Sequence, residues 1–513
     1  MLNILKASLF YNLLDVCLVK ITESVKNSAL YRVLRFLLLK FLVYLTGSLI
    51  VGLIVRLSQL IDREIKASFL RQRFLYLEEG AERARSSVVY KAYARIMGGF
   101  GKLFSLLGLG RLFEGSIFTK PFLWCALAVV AFPLLTTMTA LPLVLAGFAT
   151  LFLSMMSKKD FELRYFSINK YIYLYVLVYI LATMFAMGRG GNITITALIC
   201  TFMLFAIVLM NAITTREALR GLITAMVIMG GVVALIGLYR HFFVADIPPE
   251  AWVDQYMFDI ERRAYSTFEN PNVLGTYFLL LIPFALGRFV MEKERVLRLF
   301  FAGVLFLMAV VLILTFSRGA YLGVLISVAL FLVMMNKRLI APGIFALIVV
   351  ALLAPEAVVG RFLSIGDLTD TSTAYRISIW MGTLAMMREY WALGIGPGLD
   401  AWSLIYPTYA YSAVVAQHSH NLFLQTLAEL GVIGFTVFLL VLYHFFKNVC
   451  QSYSVAKGEQ RIYAIASISA VLGFLVMGVG DYALYNFRLR LFFWIVLAIG
   501  LANRALPNSE VKE

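Results

Sequence analysis

HSHNLFLQTLAELGVIGFTVFLLVLYHFF, residues 418–446, decides how this chain is read. Two of its four histidines, His418 and His420, stand where a long polar loop gives way to an apolar run. Residues 421–446 contain a single charged group, Glu429. At a rise of about 1.5 Å per residue, a helix of that length crosses the ~30 Å core of a bilayer. Taken as one continuous helix, the run places His420 in its first turn, where free N–H groups and the helix dipole favour anions. A period of about 100° per residue then sets Gly431 and Gly434 on the His420 face, open to close approach by another helix. Glu429 points the opposite way. A histidine at a helix mouth also fits a plain capping role, so the remaining sequence must decide its chemistry.

The remaining sequence is no soluble protein's. Of 513 residues, 61% are apolar and 14% charged, and the mean hydropathy is +0.87. The expected fold is all-α: a polytopic bundle of about twelve spans, because only helices or closed barrels satisfy the backbone in lipid. The predicted spans are 121–138, 141–156, 171–187, 193–211, 221–239, 273–290, 298–316, 320–335, 338–354, 421–446, 462–479 and 489–503. Residues 1–120 hold 18 Lys+Arg against 8 Asp+Glu. Apolar residues recur there at helical spacing through Leu2–Val19 and Phe69–Leu107, as in basic helices that lie on an anionic membrane surface. Residues 36–55 are apolar enough to insert, and the sequence leaves open whether they span. Charges interleaved with long apolar side chains argue against nucleic acid as a partner. No signal peptide is evident, and Cys17, Cys125, Cys200 and Cys450 form neither a disulfide framework nor a zinc pattern.

Sidedness follows from Lys and Arg. The links 157–170, 212–220, 288–298, 336–338 and 447–461 and the tail 504–513 hold 17 of them; the alternate links hold 10 over about twice the length. The first set is expected in the cytoplasm, with both termini. Loops 240–272 and 355–420 are expected outside. The predicted organisation is therefore a basic N-terminal region (1–120), a membrane domain (121–504) and a cytoplasmic tail (505–513).

The outer links collect polar groups. They are Arg262-Arg263 with Asn270-Pro271-Asn272, Ser317-Arg318-Gly319, Ala374–Trp380 with Arg376, Gly394–Gly398, and Gly480-Asp481-Tyr482 followed by Arg488 and Arg490. Each has a bland reading. Arg318 fits a snorkelling interface arginine, and Arg376 a loop ion pair with Asp367 or Asp370. Asn270–Asn272 makes a good helix start. Gly394–Gly398 lacks the features of a phosphate loop and reads as a turn. Asp481 fits a cap on the last helix or a partner for Arg488. Together they place fixed cationic donors and a base in one compartment, which suits transfer from a phosphate-linked donor.

His420-Asn421, nine residues, Gly431, two residues and Gly434 resemble the His-[Asn/Ser/Gln]-x9-Gly-x2-[Gly/Thr/Tyr] pattern of the O-antigen ligase and polymerase superfamily. Ser317-Arg318-Gly319, Arg376-x3-Trp380, and Arg263 with Asn270-Pro271-Asn272 resemble further motifs in that family's order. The resemblance covers about residues 121–504 and leaves the N-terminal region without a counterpart. It implies a multi-pass enzyme of the cytoplasmic membrane with its active site on the extracytoplasmic face. Such an enzyme is a metal-independent inverting glycosyltransferase, moving an undecaprenyl-diphosphate-linked glycan onto a glycan, lipid or protein hydroxyl, with membrane lipids around it and no cofactor. By position, His420 is the implied catalytic base and Arg318 and Arg376 the diphosphate ligands. Arg263, Asn272, His418, Asp481 and Arg488 are secondary candidates, and His418 competes with His420 as the base. The competing class is a transporter or flippase of an anionic lipid-linked substrate, although no internal repeat of the kind carriers show is visible.

Overall fold

The computed structural model describes residues 88–108, 116–157, 163–164, 166–186, 191–244, 262–336 and 371–507, with isolated positions at 16, 19, 339, 343, 359 and 360. The expectations for residues 1–87 and span 338–354, and parts of loops 240–272 and 355–420, lie outside these residues. All regular structure among the described residues is helical. The principal helices are α1 (Val88–Leu106), α2 (Pro121–Ala131), α3 (Thr137–Ser157), α4 (Asn169–Ala186), α5 (Ile193–Ala212), α6 (Arg216–Phe243) and α7 (Pro271–Met291). They continue with α8 (Arg295–Leu314), α9 (Arg318–Met335), α10 (Thr371–Met387), α11 (Leu399–Ile405), α12 (Leu422–Val455), α13 (Gly458–Met477) and α14 (Phe487–Ala505).

Nine of the described helices, α3 to α9 with α12 and α13, are long and apolar enough to cross a membrane. Each coincides with an expected span. The expected span 121–138 is instead broken: α2 ends at Ala131, and the chain turns through 132–136 before α3. Pro133 has no N–H with which to continue the ladder. The last expected span, 489–503, lies within α14, which is not among those nine and whose residues Leu489–Asn503 are all buried.

α7, α13 and α14 form the centre, with 83% of the apolar window of α7 and 72% of that of α13 enclosed by protein. α9 meets α13 backbone to backbone: a Cβ on Gly323 would lie 2.9 Å from the Gly473 carbonyl, and one on Gly473 would lie 2.6 Å from the Gly323 carbonyl. Close packing through small residues replaces the hydrophobic effect as the force between helices in lipid. Outward faces of α3, α4, α6 and α8 leave large apolar side chains exposed, among them Phe152, Phe185, Leu235 and Phe306. α1 carries Ile96, Phe100 and Leu103 exposed and touches α3 through an edge contact of Phe100 with Phe152.

The helix used above as the starting point is not continuous. Asn421 is its N-cap, its side chain accepting from the N–H groups of Phe423 and Leu424, and the helix begins at Leu422. Nine residues later Gly431 adopts φ +64°, ψ −172° and breaks it. The segment after α10 fills the break. Ile395 and Gly396 donate to the carbonyls of Ala428 and Glu429 (2.8 and 3.1 Å). The N–H groups of Val432 and Ile433 donate to Trp391 and Ala392 (2.7 and 3.4 Å). A Cβ on Gly431 would sit 2.1 Å from the Ala392 carbonyl oxygen, so only glycine fits. Gly431 therefore receives a loop, not a neighbouring helix. Gly434 does face one, with Val178 of α4 3.1 Å from where its Cβ would lie. The Gly394–Gly398 turn overlaps this inserted segment, and Gly394, Gly396 and Gly398 all have positive φ.

Candidate active site

One end of the bundle gathers the mouths of α7, α9, α12 and α14 with the outgoing end of α13. The chain reaches α12 through Ala416–His420, which is buried except at Gln417 and His420. Ser419 fixes this loop. Its N–H donates to Gln425 Oε1 (2.7 Å), its hydroxyl donates to the Asn421 carbonyl, and its carbonyl accepts from Trp380 Nε1 of α10 (2.9 Å). Asn421 also donates through Nδ2 to Val479, while the Leu422 N–H donates to Gly478. The loop is thus held against the end of α13, one turn before Asp481.

His420 is not in the first turn of α12; it precedes the cap, with φ +47°. Left-handed backbone at a non-glycine residue is uncommon and needs its surroundings to hold it. The conformation aims the imidazole at the α13–α14 link, where His420 Nδ1 lies 3.5 Å from Asp481 Oδ1. That separation is longer than a well-formed hydrogen bond. The His420 side chain keeps 27% of its surface exposed and that of Asp481 10%. Burial works to raise the Asp481 carboxyl, but His420 and the Arg376 guanidinium outweigh it and hold it below the usual carboxylate range. Asp481 neither caps α14 nor pairs with Arg488. The α14 cap is Asn486, and Arg488 reaches the Leu135 carbonyl (3.1 Å) and the Phe268 ring.

His418 is buried and takes a different part. Its Nδ1 accepts the His420 backbone N–H (3.2 Å), and its ring lies 4.9 Å from the Tyr485 ring in a stacked arrangement. Burial, then the neighbouring His420, push it down to about 3, with Asp481 opposing and Arg376 assisting. At neutral pH His418 is an uncharged acceptor whose lone pair is already engaged.

The arginines converge on this end. Arg376 lies on α10, one turn before Trp380, which is bonded to Ser419; its charge acts on both Asp481 and His418. Ala374–Trp380 is helical, within the longer α10. Arg318 is the first residue of α9 and is buried; a Cβ on the next residue, Gly319, would lie 3.2 Å from Met477, whose carbonyl accepts the Asp481 N–H. Arg263 donates from Nε to the Thr315 carbonyl (2.7 Å) and from Nη2 to Asn272 Oδ1 (2.8 Å), tying its loop to the turn before Arg318. Asn270 caps α7 through the N–H groups of Asn272 and Val273, and its Nδ2 donates to Tyr485, the ring stacked on His418. Arg263, Asn272, His418, His420, Arg376 and Asp481 are linked by these contacts, Arg318 stands at the adjoining mouth of α9, and Arg488 reaches Leu135 and Phe268 instead. Gln425 and Tyr485 belong to this cluster too and carried no motif, while Trp380 and Tyr482 stood in quoted stretches without a role of their own. Among the described residues no group of three or more His, Cys, Asp or Glu is arranged to hold a metal ion.

Residues 303–439 match the family model described as O-antigen ligase. The match runs from α8 into α12 and takes in Arg318, Arg376, His420, Gly431 and Gly434. No curated protein matches the chain.

Proposed function

From the premise that this chain carries an O-antigen ligase domain and belongs with the O-antigen ligase superfamily, we propose that it is a glycan transferase of the cytoplasmic membrane. Its donor is a saccharide linked to undecaprenyl diphosphate, held at the extracytoplasmic face, and its acceptor is a hydroxyl group. The observation that carries this reading is His420 beside Asp481, whose carboxylate the Arg376 guanidinium also faces, next to the mouth that bears Arg318.

In the reaction, His420 removes the proton from the acceptor hydroxyl while the oxygen attacks the anomeric carbon. Asp481 steadies Nδ1, so that Nε2 receives the proton and the charge on the imidazolium is compensated. The bond from the anomeric carbon to the diphosphate oxygen breaks, with inversion, and the leaving undecaprenyl diphosphate carries away the electron pair. Arg318 and Arg376 stabilise the charge that grows on it; their guanidinium groups stay cationic and can bind oxygens in pairs. Arg263 and Asn272 set the turn that presents Arg318. His418 supports the His420 backbone and does not serve as the base.

The test is purified protein with an undecaprenyl-diphosphate saccharide and candidate acceptors, with and without chelator, followed for a new glycosidic product. Product formation that His420→Ala abolishes and chelator leaves intact is expected. Full turnover in His420→Ala with loss in His418→Ala would move the base by two residues. Turnover restored only by added magnesium would remove arginine as the sole charge compensation.

A further inference from the structure

Beneath the two histidines a second set of polar groups runs into the bundle, and the reaction above uses none of it. Gln425, Glu429 and Arg490 are buried with exposures of 0%, 3% and 5%. Gln425 accepts the Ser419 N–H on Oε1 and donates from Nε2 to Glu429 Oε1 (3.0 Å). The same Glu429 oxygen takes the Tyr482 hydroxyl at 3.3 Å. Arg490 donates to the hydroxyls of Tyr482 (2.8 Å) and Tyr179 (3.0 Å) and to the Leu484 carbonyl (3.0 Å).

Resting on the reading above, we propose that Glu429 and Tyr482 are positioning residues that set His420 against Asp481. The path closes on itself: Ser419 precedes His420, Tyr482 follows Asp481, and Gln425–Glu429–Tyr482 joins the two from below. The Ser419 N–H only donates, so Gln425 presents its oxygen there and its amide nitrogen to Glu429 Oε1, which holds it in that orientation. This orientation pins the peptide that leads into the left-handed His420. On the other side Glu429 and Arg490 together fix the Tyr482 hydroxyl, and with it the residue adjoining Asp481. The base and its carboxylate come from different loops, one before α12 and one after α13, so their spacing needs a joint of this kind.

The test compares Glu429→Gln and Tyr482→Phe with Asp481→Asn. In Glu429→Gln the new amide can donate to Gln425 and turn it over; Tyr482→Phe is the milder variant and keeps the ring. Each is expected to lower kcat about tenfold to a hundredfold, as small misplacements of a reacting group do, with the donor KM unchanged. The double variant Glu429→Gln/Asp481→Asn should be no slower than the slower single one, because both break the same unit. Effects that multiply, or a raised donor KM with kcat intact, overturn the proposal. A measurement without turnover runs beside it: the His420 ring nitrogen resonances of 15N-histidine protein, assigned by loss in His420→Gln. They should move in Tyr482→Phe in the direction seen for Asp481→Asn, and no movement overturns the proposal. His420→Ala with full turnover would sink the base reading instead, so the two failures are distinct.

Discussion

The two ends of α12 carry the same residue types arranged to different ends. At its mouth, His420 is part-exposed and 3.5 Å from Asp481, a carboxylate on which the Arg376 charge acts. Toward the other end His444 is buried, stacked 4.0 Å from Tyr171, with Lys170 over the Tyr171 ring and Lys447 over Tyr443. Its backbone carbonyl accepts from Asn448, which also bonds Ser167. Both places hold an imidazole among cations. Only the first sets the imidazole against a carboxylate brought in by another loop, with surface left for a reactant to reach it. On the proposed reading, burial and positive charge alone make a packing histidine of His444, whereas the neighbouring carboxylate and the partial exposure suit His420 to the part of a base.

This comparison can be broken most directly at the histidines. His420→Ala should cost turnover at least about a hundredfold, the usual share of a general base, while donor binding measured by saturation stays near wild type. Next in size is Gly431→Ala, which puts a Cβ into the Ala392 carbonyl in a left-handed backbone. A loss of about 2–4 kcal/mol is expected from strain and clash, seen as a lower melting temperature in detergent. Arg376→Ala should reduce kcat/KM roughly tenfold to a hundredfold, with lysine restoring only part, because a point charge replaces a planar fork.

His418 sharpens the comparison by its pH dependence. Its ordinary value of 6.5 drops to about 3 in the fold, so between those values the unfolded chain binds the extra proton. The stability it lends is complete above about pH 6.5 and drains away as pH falls toward 3. Melting temperatures from pH 7 to 4 should therefore fall less steeply in His418→Gln than in the wild type. The smallest effect belongs to His444→Gln, expected to leave turnover within about twofold; a loss as large as that of His420→Ala would erase the distinction between the two ends.

Much of this was legible before any coordinates. Membrane-length apolar runs and Lys/Arg-rich links located the nine helices, since lipid imposes length and continuity on each span. Asn270-Pro271-Asn272 announced a capped helix, and the cap is there. The grouping of Arg263, Arg318, Arg376, His420 and Asp481 was legible only as a shared side of the membrane. What stayed hidden depends on tertiary contact. A period of 100° carries a helix straight through Gly431, and nothing local tells that residues 391–396 will enter there. His420 sat in the first turn by the same extrapolation, because αL backbone before a cap has no sequence signature outside glycine and asparagine. Asp481 read equally well as a cap or a partner of Arg488, since loops distant in sequence decide which base it meets. Gln425 looked like one polar residue in an apolar run; its amide matters because Ser419 and Glu429 lie at its two ends.

The seam at Gly431 also bears on how the protein is made. In hydrocarbon an unmet carbonyl costs several kcal/mol, so the 422–455 stretch alone would gain by closing its own ladder into a straight rod. The bent form exists only because residues 391–396 supply the missing partners, and the ribosome delivers those residues first. The receiving edge is thus waiting when the later helix arrives, and assembly of this end becomes a question of order: a delayed loop would meet a rod already set.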